Sequence, residues 1–198
     1  MNISRRISLF AGASMLTAVL TSCRSPPARY YRLAPVPSTS LVGAPRIVSV
    51  LSVTIPAYLN QDGIAKLDGG YRFSSYSNDL WAEPLSDMLQ TVMVQNLEQR
   101  LTGATVIASG GSIGVPSDAR VEINVLKFDS GNDGRVSLIA QIAVKLRSNR
   151  TEWQTQTFSR SKSPAGPSVS DIVAVMSTLW AEAADVAARL VVQTPQAG

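Results

Sequence analysis

Residues 121–146 read VEINVLKFDSGNDGRVSLIAQIAVKL, and their alternation decides the fold class. Val121, Ile123 and Val125 alternate with Glu122 and Asn124; Leu138, Ala140, Ile142, Val144 and Leu146 alternate with Gln141, Lys145 and Arg147. Successive side chains of a strand point to opposite faces, so a period of two gives strands with one face buried and the other open to solvent or a partner. Between them Ser130-Gly131-Asn132-Asp133-Gly134 has the composition of a hairpin turn. Residues 153–159 extend the pattern to a third strand, across Ser148-Asn149-Arg150.

Upstream, residues 46–55 (RIVSVLSVTI) are β-branched and apolar, as in a buried strand, and Pro56 stops them. Residues 64–67 and 71–74 flank Asp68-Gly69-Gly70 and predict a hairpin. Tyr30-Tyr31-Arg32-Leu33 could form a short first strand. A helix follows, with Asn78 or Asp79 as its cap and Pro84 in its first turn, where a missing N–H has no intrahelical role. Leu85, Leu89, Val92, Met93, Asn96, Leu97 and Leu101 fall on one face of it, and Gly103 ends it. Residues 105–108 read as a short strand. The glycine-rich stretch 110–114 lacks the Lys-Ser/Thr of a phosphate loop and reads as a plain loop. A linker holding Pro164 and Pro167 leads to the last helix, from Ser170 or Asp171 to Val192, with Ile172, Met176, Leu179, Trp180, Ala183, Val186, Ala187 and Leu190 on its apolar face. The order β-β-β-α-β-β-β-β-α predicts a single α+β domain, a mainly antiparallel sheet with two helices packed on one face.

The N-terminus has a different character. Arg5 and Arg6 precede a fourteen-residue apolar run, Ile7 to Leu20, then Thr21, Ser22 and the only cysteine, Cys23. Roughly 20 apolar residues are needed to span a membrane, so the run reads as a secretory signal. Leu-x-small-Cys resembles the lipobox of bacterial lipoproteins, whose cysteine takes a diacylglycerol and becomes the first residue of the mature chain. One myristoyl chain binds membranes reversibly, at roughly 0.8 kcal/mol per buried CH₂; several long chains on Cys23 amount to permanent anchoring. Arg24, where an Asp tends to retain such proteins in the inner membrane, favours the periplasmic face of the outer membrane. The expected organisation is thus a signal peptide over residues 1–22, a lipidated, proline-rich tether over 23–45 and the α+β domain over 46–194.

Composition narrows the function further. Arg5 and Arg6 leave with the signal, so 18 basic residues fall to 16 against 14 acidic ones, a net charge of +2 on the mature chain. That is no nucleic-acid footprint; Lys145, Arg147 and Arg150 alternate as a solvated strand face would. There is no histidine, and acylation of Cys23 leaves no thiol, so imidazole bases, thiol nucleophiles and His/Cys metal sites are excluded. Asp129 and Asp133 read as turn residues, and no acidic loop has calcium spacing. No enzyme, metal or cofactor is expected.

Three motifs then converge. The lipobox, Tyr30-Tyr31-Arg32-Leu33, and a Val/Ile-rich strand closed by Ile55-Pro56-Ala57-Tyr58-Leu59 are followed by Trp81-Ala82-Glu83-Pro84-Leu85 and Gln95-Asn96-Leu97. In this order they resemble the ABC-type transport auxiliary lipoproteins, the PqiC-like lipoproteins associated with MCE systems, across essentially the whole mature chain. The chain departs from the family pattern at Asn60-Gln61-Asp62 and in its glycine-rich residues 110–116. The resemblance implies a non-enzymatic component of an envelope lipid-transport system. It would dock a periplasm-bridging MCE-domain protein at the outer membrane and support membrane integrity. Docking to a ring-shaped partner would make a homo-oligomer natural, with exposed strand edges as its contacts. Cys23 is the expected acylation site. Trp81, Glu83, Pro84 and Leu85 match the family motif, as core anchor, helix-start charge and initiator or as partner contacts. Tyr58 and Leu59 either present an apolar edge or pack. Two other readings stay open: a lipoprotein carrying a phospholipid in a cavity of roughly 300–1,000 Å³, and an assembly scaffold for a secretion machine.

Overall fold

In the computed structural model, residues 26–147 and 153–193 are described, so the expected signal sequence, Cys23 and the expected turn at Ser148-Asn149-Arg150 lie outside them. The chain runs β1 (Arg29–Tyr31), β2 (Ile47–Val50), a 3-10 turn (Ala57–Leu59), β3 (Gly63–Asp68), β4 (Arg72–Trp81), α1 (Leu85–Arg100), β5 (Thr105–Ala108), β6 (Ala119–Ser130), β7 (Val136–Leu146), β8 (Gln154–Lys162) and α2 (Val169–Gln193).

The β6–β7 hairpin is the spine. It pairs from Ala119↔Leu146 to Ser130↔Val136, and β8 adds to β7 from Val136↔Lys162 to Val144↔Gln154. Val121, Ile123, Val125, Leu138, Ala140, Ile142, Val144 and Leu146 are all buried, as the alternation requires. A bulge between Val125 and Lys127 inserts Leu126, which is left half-exposed. The extra residue resets the phase and turns Phe128 inward, where it is fully buried. The other edge of β6 is shared: β2 lies along its start, Thr54 bridges to Asn124 at mid-strand, and β3 meets Ser130 at its end. β5 lies outside β2, and β4 then β1 lie outside β3.

The sheet is therefore mixed. β6–β7, β7–β8 and β3–β4 are antiparallel, while β1–β4, β2–β5, β2–β6 and the β3–β6 contact are parallel. The α1 crossover between β2 and β5 is the kind of long connection that parallel pairing needs. Only Ile47–Val50 of the predicted 46–55 strand pairs continuously. β5 ends at Ala108, and the Val50 carbonyl is taken by Ser109 N (2.8 Å) and Gln90 Nε2 (3.0 Å), releasing the chain beyond.

β4 is longer than predicted and displaces the expected cap of α1. Gly63 pairs with Leu80 and Ala65 with Ser75, so residues 76–79 bulge out. Asn78 adopts φ +61°, a left-handed conformation that asparagine tolerates better than most residues. Gly63 is required by its partner, since a Cβ there would sit 2.7 Å from Ser75 Cβ. Asn78 and Asp79 remain in the strand, and Pro84 holds the N-cap position with ψ 131°. Its carbonyl accepts Asp87 N and Met88 N, both at 3.1 Å. Proline also disfavours helical geometry at Glu83, so the helix cannot start earlier. α2 starts at a reciprocal cap: Asp171 N donates to Ser168 Oγ (3.1 Å), and the Asp171 carboxylate accepts Ser168 N and Oγ.

α2 packs on β6, β7 and β8 and α1 on β2 and β5, with the two helices touching along their apolar stripes. Every predicted stripe residue on both helices is buried, and so are Met88 and Arg100. Trp180 lies at the centre, fully buried, with Nε1 donating to the Leu89 carbonyl (3.0 Å) and its ring 6.1 Å from Phe128. Among the described residues no helix is long and apolar enough to cross a membrane.

Candidate functional site

The motif residues gather where β1, β3 and β4 meet the start of α1. Trp81 N donates to the Asp62 carbonyl (2.7 Å) and Ala82 N to that of Tyr31 (2.8 Å), tying the corner together. Trp81, Leu85 and Leu59 are buried in the core, whereas Glu83 and Pro84 are exposed. Tyr58, next to Leu59, lies toward the other end of the β3–β4 hairpin.

There Tyr58 stacks on Phe73, with ring centroids 4.0 Å apart. Its hydroxyl donates to Asp129 Oδ2 (2.7 Å) and receives Phe128 N (3.4 Å). Asp129 is almost fully buried, and its other oxygen lies 3.7 Å from Lys127 Nζ. Burial, then the hydrogen bond and charge of Asp129, push the Tyr58 hydroxyl well above the usual tyrosine range. The hydroxyl thus satisfies one oxygen of a buried carboxyl group whose other oxygen faces Lys127. Tyr76 Oη with Ser130 Oγ (2.9 Å) and Gly69 N with Asn132 Oδ1 (3.0 Å) complete a lock between the β3–β4 and β6–β7 turns. Asp133 folds back on its own turn, its Oδ1 accepting Arg135 N (3.0 Å).

Two devices hold the N-terminal segment, and neither was read from the sequence. Arg29 donates Nε and Nη2 to the Asp79 carboxylate at 2.7 and 2.9 Å. That fork holds the Asp79 carboxyl below the ordinary carboxylate range and raises Arg29. Beyond β1 the proline-rich segment lies against the helices: Leu33 is buried, Ala34 N donates to Ser177 Oγ (3.1 Å) and Val36 N to Asn96 Oδ1 (3.0 Å). The buried Arg100 guanidinium joins three elements, binding Asp185 (2.6 Å), the Val36 carbonyl (3.2 Å) and the Ala181 carbonyl (3.1 Å). Its position one turn after Asn96 on the apolar stripe was the available signal.

Two grooves open on the sheet side. One, about 600 Å³, runs across β6–β8 and is floored by Glu122, Asn124, Gln141, Ala143, Thr155 and Thr157. The other, about 620 Å³, lies at the open end of the β6–β7 hairpin, between Pro116 and Trp153, and holds Arg120, Lys145, Arg147 and Asp118. Arg120 and Lys145 are cross-strand partners, and Lys145 Nζ lies 5.5 Å from the centre of the Trp153 ring. Among the described residues none of these three cations is in an ion pair. Nor do three His, Cys, Asp or Glu side chains come together there as metal ligands. Open, partly polar grooves beside a packed core suit the binding of a macromolecular surface better than the enclosure of an acyl chain.

Residues 31–188 match the family model described as "ABC-type transport auxiliary lipoprotein component". The proteins described as "Intermembrane transport lipoprotein PqiC" from Escherichia coli (strain K12) and Shigella flexneri are each 31% identical over 110 residues, 54% of this chain. The match spans 57% of the length of those relatives. Among solved structures, an uncharacterized protein superposes with a TM-score of 0.70 at 23% identity, covering 83% of this chain and 98% of that one. Protein XCC0632 from Xanthomonas campestris does so with a TM-score of 0.64 at 18% identity, covering 84% and 94%. Both share the fold.

Proposed function

Because the chain belongs to the family of ABC-type transport auxiliary lipoprotein components, we propose that it is a non-catalytic lipoprotein on the periplasmic face of the outer membrane, held there by acylated Cys23. It docks the far end of a periplasm-bridging MCE-domain protein, so that phospholipid or another hydrophobic cargo passes between the membranes and membrane integrity is maintained. The family match over nearly the whole described domain carries this reading. The similarity to intermembrane transport lipoproteins supports the transport role.

The surface offered to the partner is the groove of Arg120, Lys145 and Trp153, where cations without ion-pair partners among the described residues sit beside an aromatic ring. Arginine and aromatic residues are enriched at interfaces. A homo-oligomer would multiply this surface around a ring-shaped partner, with the edge strand β8 available for lateral contacts.

Affinity purification of the native lipoprotein in gentle detergent, with mass spectrometry, is the test. Recovery of an MCE-domain protein with its permease is expected, and Arg120→Glu combined with Lys145→Glu should abolish it without loss of folding. A partner-free preparation carrying stoichiometric phospholipid would overturn docking in favour of a lipid carrier.

A further inference from the structure

We propose that the tip of the β3–β4 hairpin is a second membrane contact, with Tyr71 seated among lipid headgroups, so that the domain stands upright on the bilayer. The proposal rests on the anchoring of Cys23 proposed above and adds the surface that faces the lipid.

Strand directions carry the argument. β3 runs parallel to β6, toward the β6–β7 turn; β4 runs antiparallel to β3, away from it; and β1 is parallel to β4, Arg29 lying opposite Asp79 and Tyr31 opposite Trp81. β1 therefore also runs away from the β6–β7 turn, and the chain before Arg29 arrives from the side of the hairpin tip. Cys23 precedes Arg29 by six residues, a tether of about 20 Å at full extension. The Arg29–Asp79 fork fixes where that tether begins. Arg29 lies level with the start of β3, about 17 Å short of the tip, so the tether, directed toward the tip, can bring the anchor to the level of the tip. A strand as long as β6 spans about 40 Å, which places the cleft of Arg120 and Trp153 well away from the bilayer.

The tip has the chemistry of a headgroup contact. Tyr71 is 100% exposed at its apex, and Phe73 is 45% exposed. A lone exposed aromatic is ordinary; one placed beside an acyl anchor has a lipid surface within reach. Tyrosine, with an apolar ring and a polar hydroxyl, is favoured at the membrane interface. Arg72 is paired with Asp68 (2.9 Å), so that pair presents no net charge to the lipid. The tip is also stiff, braced by the Tyr58–Phe73 stack and the Gly69–Asn132 hydrogen bond, so little order has to be imposed on contact.

The test uses the full acylated protein, in which Cys23 offers no free thiol. A fluorophore is attached through Tyr71→Cys or, in the loop that leads into β6, through Ile113→Cys, which is also exposed. Each protein is reconstituted into phosphatidylethanolamine–phosphatidylglycerol vesicles containing a nitroxide-labelled lipid. Several-fold stronger quenching at position 71 than at 113, with a blue-shifted emission, is expected. Equal or absent quenching at both positions, in protein that floats with the vesicles, would overturn the upright orientation and leave the anchor standing. Protein that does not float would overturn the anchor and the orientation together.

Discussion

The two ends of the β6–β7 hairpin both combine aromatic with polar or charged side chains, but use them in opposite ways. At the turn end Tyr58, Asp129, Tyr76, Ser130 and Asn132 hydrogen-bond across strands and leave a stiff lock between two turns. At the open end Arg120, Lys145, Arg147 and Trp153 line a groove, and the cations form no ion pairs among the described residues. A buried polar group is costly unless it is partnered, so polar chemistry near the core becomes architecture. Polar chemistry at a rim stays available for binding. The difference separates the part of the molecule that fixes its shape from the part that can recognise another.

If this contrast holds, substitutions at the two ends will differ sharply in their effect on stability. The largest loss belongs to Phe128→Ala, which empties a fully buried site against Trp180: about 3–5 kcal/mol in urea denaturation. Tyr58→Phe removes one hydroxyl and strands part of the Asp129 carboxylate, for about 1–3 kcal/mol. The pH dependence sharpens this result. The folded state raises the Tyr58 hydroxyl above its ordinary value of about 10, so its contribution is complete below that pH and is lost as the pH climbs further. Urea midpoints at increasing alkaline pH should fall more steeply in the wild type than in Tyr58→Phe.

Arg29→Ala acts more locally: amide exchange should accelerate in β1 and at Ala82 while β6 and β7 keep their protection. Acid should have the same effect. Asp79 is held below its ordinary value, so its contribution is present above about pH 4 and is lost as the pH falls through its lowered pKa. Trp153→Ala, at the open end, should leave stability within about 0.5 kcal/mol of wild type. A loss there as large as that of Phe128→Ala would erase the distinction between the two ends.

Where a pattern is local, it was legible. The stripes of α1 and α2 and the alternation of β6 and β7 rest on side-chain periods of 3.6 and 2, and all the stripe residues named in advance are buried. Pairing across long separations was not. Nothing near Arg29 announces a carboxylate fifty residues away, and nothing in residues 71–81 announces one long strand, because the sequence there is polar and interrupted by the residue 76–79 bulge. The cap of α1 was misplaced for the same reason: Asn78 and Asp79 have the right chemistry for a cap, but tertiary partners claimed them for the sheet. Of the candidate surface, Lys145 and Arg147 were visible as alternating cations, whereas Arg120 and Trp153 join them only through strand register.

By itself, then, the sequence determined the α+β class, the two amphipathic helices, the absence of histidine and the placing of a lone cysteine behind a secretion-like run. Each of these follows from residue type, count or short-range period. The parallel placing of β1, the bulge that turns Phe128 inward and the separation of a locked end from an open one were decided only by the tertiary structure. They depend on which distant strands share an edge, and backbone hydrogen bonding carries no mark of its partner until the chain has folded.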